Sequence, residues 1–322
     1  MPPPRVEVVH VGSAARDIAP DDPRGWRLGG GVTYAALTTA RLGLRTAAVV
    51  GVDALAAHAH ELDSLRDAGV DILRVDLPEG PIFHNVETRK GRVQTLVSRG
   101  VPVRPVALPA SWLASAAWSL VPVAAEVDDD WASLIPEDAI VGVAWQGMLR
   151  RLVAGSRVER IPPTERAILR RADLVGLSHQ DVEPTTSIGT LTSFLQPGAR
   201  LLVTQGGHGG LLVSTDDDGP LEVLRYLPTP SEREIDPTGA GDTFLAALLA
   251  VLVRPSTASS SGQSLARALR FAAAAGSLAV EDFGLAGVPD RRSVLLRRAR
   301  ERVRRAVVPT LSAQVGVEDP RQ

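Results

Sequence analysis

The stretch Asp236-Pro237-Thr238-Gly239-Ala240-Gly241-Asp242-Thr243-Phe244 concentrates residues that could do chemistry, and an apolar run, LAALLAVLV, follows it. Small residues at Gly239, Ala240 and Gly241 leave the backbone bare where a helix should begin. The first N–H groups of a helix lack intrahelical acceptors and sit at the positive end of its dipole. They therefore suit a transferring phosphoryl group. Asp242 falls in that first turn, where a carboxylate can orient a hydroxyl and take its proton as it attacks. On spacing alone, an ordinary glycine turn with an acidic first-turn residue fits equally well.

Composition removes other chemistries. The chain of 322 residues is 44% hydrophobic and 22% charged, so it can bury a sizeable core. Its formal charge of −2, from 35 basic and 37 acidic residues, gives no electrostatic case for nucleic acid. The absence of cysteine excludes disulfides, Cys-ligated zinc, iron–sulfur clusters and thiol nucleophiles. The one lysine, Lys90, lies between Arg89 and Gly91, so neither a Walker A loop nor a protein-kinase strand lysine is available. Phosphate would have to be held by backbone amides and arginine. The start MPPPRVEVVHVG has no basic segment leading into an apolar one, and no apolar run approaches the roughly 18 residues of a membrane helix. These features set the expectation of a soluble, cytoplasmic protein with neither a nucleic-acid nor a membrane partner.

Apolar β-rich runs alternate with helical patterns. Strands are expected over 6–12, 46–52, 70–75, 119–123, 140–145, 174–177 and 201–204. Helices are expected over 33–42, 55–68, 165–171, 187–194, 241–253, 265–280 and 291–306. That alternation predicts an α/β fold with a mostly parallel sheet covered on both faces. Residues 13–28 read as irregular and 81–101 as a hairpin turning at 89–91, so the two could form a small sheet projecting from the main layer. The acid runs 128–130 and 216–218 and the Ser-rich 256–262 read as solvated loops.

The segment DPTGAGDTF resembles the C-terminal signature of the PfkB (ribokinase-like) carbohydrate kinase family, usually D-T-x-G-A-G-D-x-F. Two further motifs agree in order: Gly29-Gly30-Gly31-Val32-Thr33-Tyr34 leading to Ala40-Arg41-Leu42-Gly43, and Thr204-Gln205-Gly206-Gly207-His208-Gly209, similar to a T-x-G-x-x-G nucleotide loop. The resemblance implies a Rossmann-type sheet with a β lid, and ATP- and Mg2+-dependent phosphorylation of a small hydroxylated substrate. It assigns Asp242 as catalytic base, with Gly239, Ala240 and Gly241 as the anion hole. Substrate falls to Asp17, Gly29 and Gly30, and nucleotide to Thr204, Gly206 and Gly209. It places Asp236 as a loop support near the metal. It also leaves room for a monovalent cation and for a homodimer through the lid.

Two positions depart from the family pattern. Tyr34 stands where an Asn usually contacts substrate, and Ser178-His179-Gln180-Asp181 replaces N-x-x-E, giving Asp181 the metal-ordering role at one methylene less. The first departure, together with the Phe83-His84-Asn85 segment, argues against a ribose-like substrate and suggests an inositol-like polyol.

Other candidates carry less weight. His58 and His60 point apart on a helix, and Phe83-His84-Asn85 could reach substrate from the hairpin. Gln146 and Arg150 follow a strand at its ligand-binding end. The basic face 297–305 reads as solvated, and the helix around 273–277 would supply an aliphatic wall for adenine. The expected organisation is one kinase domain over 1–310, lid segments about 13–28 and 80–102, and a tail over 311–322. The expected activity is transfer of the γ-phosphoryl group of ATP to a sugar or polyol hydroxyl. A nucleoside kinase and a weakly active ligand-binding pseudokinase stay open as alternatives.

Overall fold

The computed structural model describes residues 5–88, 91–214, 222–254 and 262–306. Strand β1 (Val8–Ser13) enters β2 (Ala15–Ile18) and β3 (Trp26–Gly29), and helix α1 (Gly31–Arg41) then returns the chain to β4 (Thr46–Val52). Helix α2 (His60–Asp67), β5 (Asp71–Asp76), β6 (Pro81–Thr88) and β7 (Gly91–Arg99) follow. Next come α3 (Ala110–Leu113), β8 (Ala117–Leu120), β9 (Ile140–Ala144) and a two-stranded ladder, β10 (Arg150–Arg151) with β11 (Glu159–Arg160). The chain continues through α4 (Ala167–Arg170), β12 (Leu174–Ser178), α5 (Ile188–Thr192), β13 (Arg200–Thr204), β14 (Gly210–Ser214) and β15 (Glu222–Tyr226). It closes with α6 (Ala240–Val253), α7 (Gly262–Ala279) and α8 (Arg291–Ala306).

Nine strands form one sheet in the order β15-β14-β13-β12-β9-β8-β1-β4-β5. From β13 to β5 every pairing is parallel, while β14 and β15 add an antiparallel edge. β1 and β4 are buried along their whole length, which is why they read as mostly apolar runs, with His10, Ser13 and Thr46 buried among them. Helices α1, α6 and α7 pack on one face. The other face is filled by Trp118, Trp131 and Trp145 with side chains from α4 and α5.

A second sheet, β3-β2-β6-β7, stands apart from the first. Residues 13–28 are therefore not irregular. Their two four-residue strands are too short and too polar to read as strands, and pairing with the hairpin fixes them. The helix expected over 55–68 breaks in two. Asp53 captures the Leu55 and Ala56 amides in a 3-10 turn over Ala56–His58, and Ala59 is extended before α2 starts. The expected helices over 165–171 and 187–194 shrink to α4 and α5, of 4 and 5 residues. Lys90, the acid run 216–218, residues 256–261 and the tail 311–322 lie outside the described residues. No described helix is long and apolar enough to cross a membrane.

Candidate functional site

The Gly29–31 turn joins β3 to α1, and close approach at each position accounts for its glycines. Gly30 holds φ 101, and a β-carbon there would overlap the Ser13 carbonyl oxygen. A β-carbon on Gly29 would stand 2.5 Å from Asp17 Oδ2, and one on Gly31 would stand 3.0 Å from Asp242 Oδ1. Two carboxylates from distant parts of the chain thus flank a single bare turn.

Asp242 lies in the first turn of α6, whose N-cap, Gly239, is left-handed at φ 76. Apart from α6's own backbone and the chain neighbours, no heavy atom comes within 4 Å of where a Gly241 β-carbon would stand, and Gly241 is exposed, so the first turn of the helix is uncrowded there. Burial pushes the Asp242 carboxyl up to about 6; nearby Arg150 pulls it down and Asp181 pushes it up. Arg150 arrives from the segment after β9, donating to the Val123 carbonyl at 3.2 Å with its guanidinium 5.9 Å from the Phe83 ring centroid. On the same segment Gln146 Nε2 donates to Asp181 Oδ1 at 3.0 Å. The Ser178 amide donates to Asp181 Oδ2 at 2.7 Å, and the Ser178 side chain caps the same turn. The ends of β9 and β12 thereby converge on the start of α6, the edge of the sheet where ligands bind in such folds.

Asp236 is occupied differently. Its Oδ1 accepts from the Thr238 amide at 2.9 Å and the Thr238 hydroxyl at 2.6 Å, and its Oδ2 from the Gly284 amide at 3.1 Å. It ties the loop before α6 to the 3-10 turn Gly284–Gly287. Among the described residues no cluster of three or more His, Asp or Glu could hold a metal by itself. Asp181 supplies a single carboxylate, each of whose oxygens accepts one N–H bond and keeps a lone pair that suits a metal-bound water of hydrated Mg2+.

Tyr34 is only 2% exposed. Its ring lies directly under Gly239, where any β-carbon would overlap it. It also forms part of the wall of a cavity of about 160 Å3 bounded by Asp17, Asn85, Asp236, Thr238 and Phe283. Tyr34 is thus at once a packing residue beneath the glycine turn and a wall of the cavity beside Asp17. Across that cavity Asn85 Nδ2 donates to Asp17 Oδ1 at 2.9 Å, and Gln94 Nε2 donates to Asn85 Oδ1 at 2.7 Å. Gln94 and Phe283 were not anticipated. Gln94 had a legible signal, since it pairs directly with Asn85 across the hairpin. Phe283 had none; it reaches the cavity from a late loop, with the Arg27 guanidinium 4.8 Å above its ring.

Thr204 ends β13, and a 3-10 turn over Gly206–His208 follows. Gly206 and Gly209 hold φ 54 and 86, and a β-carbon on Gly209 would overlap the Tyr226 carbonyl oxygen. His179 Nδ1 lies 3.2 Å from the Thr204 carbonyl oxygen, so this glycine loop and the Asp181 turn are neighbours. On α7, Ala273, Ala274 and Ala275 are buried in the core, and only Ser277 of the expected aliphatic wall is half-buried. Arg297, expected on a solvated face, is instead 8% exposed and donates to Pro230, Ser277 and Glu281. His58 lies in the 3-10 turn and His60 begins α2.

The fold defined by these sheets is ribokinase-like. Giardia lamblia ribokinase superposes with a TM-score of 0.69 at 18% identity, covering 92% of this chain and 99% of that one. The profile of the pfkB family carbohydrate kinases matches residues 169–291. A ribokinase of Arabidopsis thaliana is 46% identical over 97 residues, which is 30% of this chain and 23% of that protein. A cytidine kinase of Thermococcus kodakarensis is 29% identical over 269 residues, 76% of this chain and 88% of that protein. Residues 169–291 thus match the pfkB family of carbohydrate kinases, and the fold is the one that ribokinase-family structures share.

Proposed function

We propose that this protein transfers the γ-phosphoryl group of ATP to a hydroxyl of a small sugar or polyol. The observation that carries the reading is the placement of Asp242, a carboxylate raised to about 6 beside an open helix N-terminus, with Asp17 on the far side of the same glycine turn. Asp17, aimed by Asn85, accepts hydrogen bonds from acceptor hydroxyls, while Gly29 and Gly30 let the acceptor lie against the backbone. Asp242 takes the proton of the attacking hydroxyl. The first-turn amides at Gly239, Ala240 and Gly241 receive the phosphoryl charge. Thr204, Gly206 and Gly209 cradle the nucleotide. A bound Mg2+ would neutralise phosphate charge, and Asp181 is the side chain suited to its water shell. Asp236, with Thr238 and Gly284 on its oxygens, braces the loop. The small sheet acts as the lid. Most of the rate comes from positioning and charge neutralisation.

The extent of the match to the cytidine kinase favours, as the second reading, a nucleoside as acceptor. Incubating the protein with ATP, Mg2+ and separate panels of sugars, polyols and nucleosides, while following ADP release and the mass of the product, tests both. A phosphorylated sugar or polyol supports the first reading and a nucleoside monophosphate the second. ADP release unchanged by every acceptor would leave a pseudokinase.

A further inference from the structure

Two buried carboxylates stand where the lid meets the large sheet, and their charges are met differently. Asp53, after β4, holds Arg16 of β2 at 2.7 Å. Glu126, 2% exposed, is met by backbone amides. Its oxygens accept from the amides of Ser13 at 3.1 Å, Val123 at 3.0 Å and Ala124 at 2.7 Å. Among the described residues no ion pair reaches it. Burial raises its carboxyl, and these amides oppose that rise.

The chain passes between lid and large sheet at residues 13–14, 29–31, 77–80 and 100–103. Glu126 binds two of these crossings. Its side chain takes the Ser13 amide of the outgoing crossing, and its carbonyl takes the Val103 amide of the returning one at 2.8 Å, beside a Val103–Val127 bridge. The loop it gathers has Ala125 at φ 55, a conformation that L residues rarely adopt. That loop faces the proposed active centre. The Val121 carbonyl oxygen lies 2.8 Å from where a Gly31 β-carbon would stand, and the Val123 carbonyl accepts from Arg150, whose charge reaches Asp242.

We propose that Glu126 is a positioning residue that sets the register of the lid over the acceptor, by fixing both crossings to the loop that aims Arg150. This rests on the kinase reading. Only a carboxylate answers three converging N–H groups without presenting a donor of its own. A glutamine of the same shape would turn its NH2 toward one of them. The acceptor sits between lid and base, whereas the donor binds mainly to the large sheet, so misregister should fall on the acceptor alone.

Glu126→Gln and Glu126→Asp in the full chain test this through acceptor and donor kinetics together with amide hydrogen exchange. The expected result for Glu126→Gln is an acceptor KM raised by about tenfold or more, an ATP KM within about twofold of the original, and faster exchange at Ser13, Val103, Val123 and Ala124 with α6 unchanged. Glu126→Asp, too short to span the three amides, should fall in between, and it carries the test if the glutamine variant does not fold. Unchanged acceptor KM in a folded variant, or exchange that speeds up evenly through the whole chain, would overturn the proposal. If the unaltered protein phosphorylates no acceptor, the kinase reading fails, and the exchange pattern alone then decides whether Glu126 holds the two crossings.

Discussion

On the kinase reading proposed above, the donor side and the acceptor side of the cleft are built from different materials. The proposed donor side consists of backbone: the left-handed Gly239 turn, the start of α6, and the Gly206–Gly209 loop that follows the buried strand β13. The acceptor side consists of side chains drawn from separate segments, with Asp17, Asn85 and Gln94 in series on the small sheet, Tyr34 on α1 and Phe283 on a late loop. Phosphate is the same in every such reaction, so a fixed array of amides can receive it. Acceptors differ, and only side chains can be exchanged to follow them.

Substitutions on the two sides should therefore fail in different ways. The largest effect is expected for Asp242→Asn, which keeps the shape but removes the proton acceptor. Turnover should fall by roughly 10²–10⁴ in steady-state assays, with ATP affinity retained in calorimetry. Gly241→Val comes next. Its side chain enters open space, so the protein should fold and melt normally while transfer falls by roughly 10²–10³. Gly239→Ala, two residues earlier, should do the reverse of that separation. It strains a residue at φ 76 and strikes Tyr34, lowering stability by about 1–3 kcal/mol in denaturant titrations. Asn85→Leu removes the donor to Asp17 and should raise acceptor KM about tenfold with ATP KM unchanged, since one hydrogen bond to a charged group is at stake. The smallest effect is expected for Tyr34→Phe, which preserves the ring under Gly239. Its acceptor KM should move by less than about threefold, because a single hydroxyl on one wall is lost.

The same division explains what was legible in the chain. Glycine turns and a first-turn aspartate are local patterns, so Gly239, Gly241 and Asp242 could be picked out from spacing, and Gly29 through the family resemblance. The buried parallel strands were equally visible as apolar runs. The acceptor wall was legible only in part: the family resemblance pointed to Asp17 and Tyr34, and Asn85 stood as a lesser candidate, but their contacts with one another, Gln94 and Phe283 were not visible. Asn85 meets Asp17 only because β6 pairs with β2, and Arg150 approaches Asp242 only because β9 lies next to β12 in the sheet. Glu126 was invisible for a related reason, since its amide partners converge only when two lid crossings come together. The break at Ala59 depends on Asp53 capturing two amides, an event that helical periodicity does not record.

The central claim is that Asp242 accepts the proton of the attacking hydroxyl from a recess that holds its carboxyl unusually high. The pH dependence of kcat/KM for the acceptor tests this most directly, because it reports the free enzyme's essential groups. A base works when ionised, so activity should be full above the raised value and lost as pH falls through about 6. Arg150→Gln, by removing the cation that favours the charged form, should move that limb to higher pH. A profile that stays flat down to the ordinary carboxylate value of 3.8, or a limb unmoved by Arg150→Gln, would contradict the account.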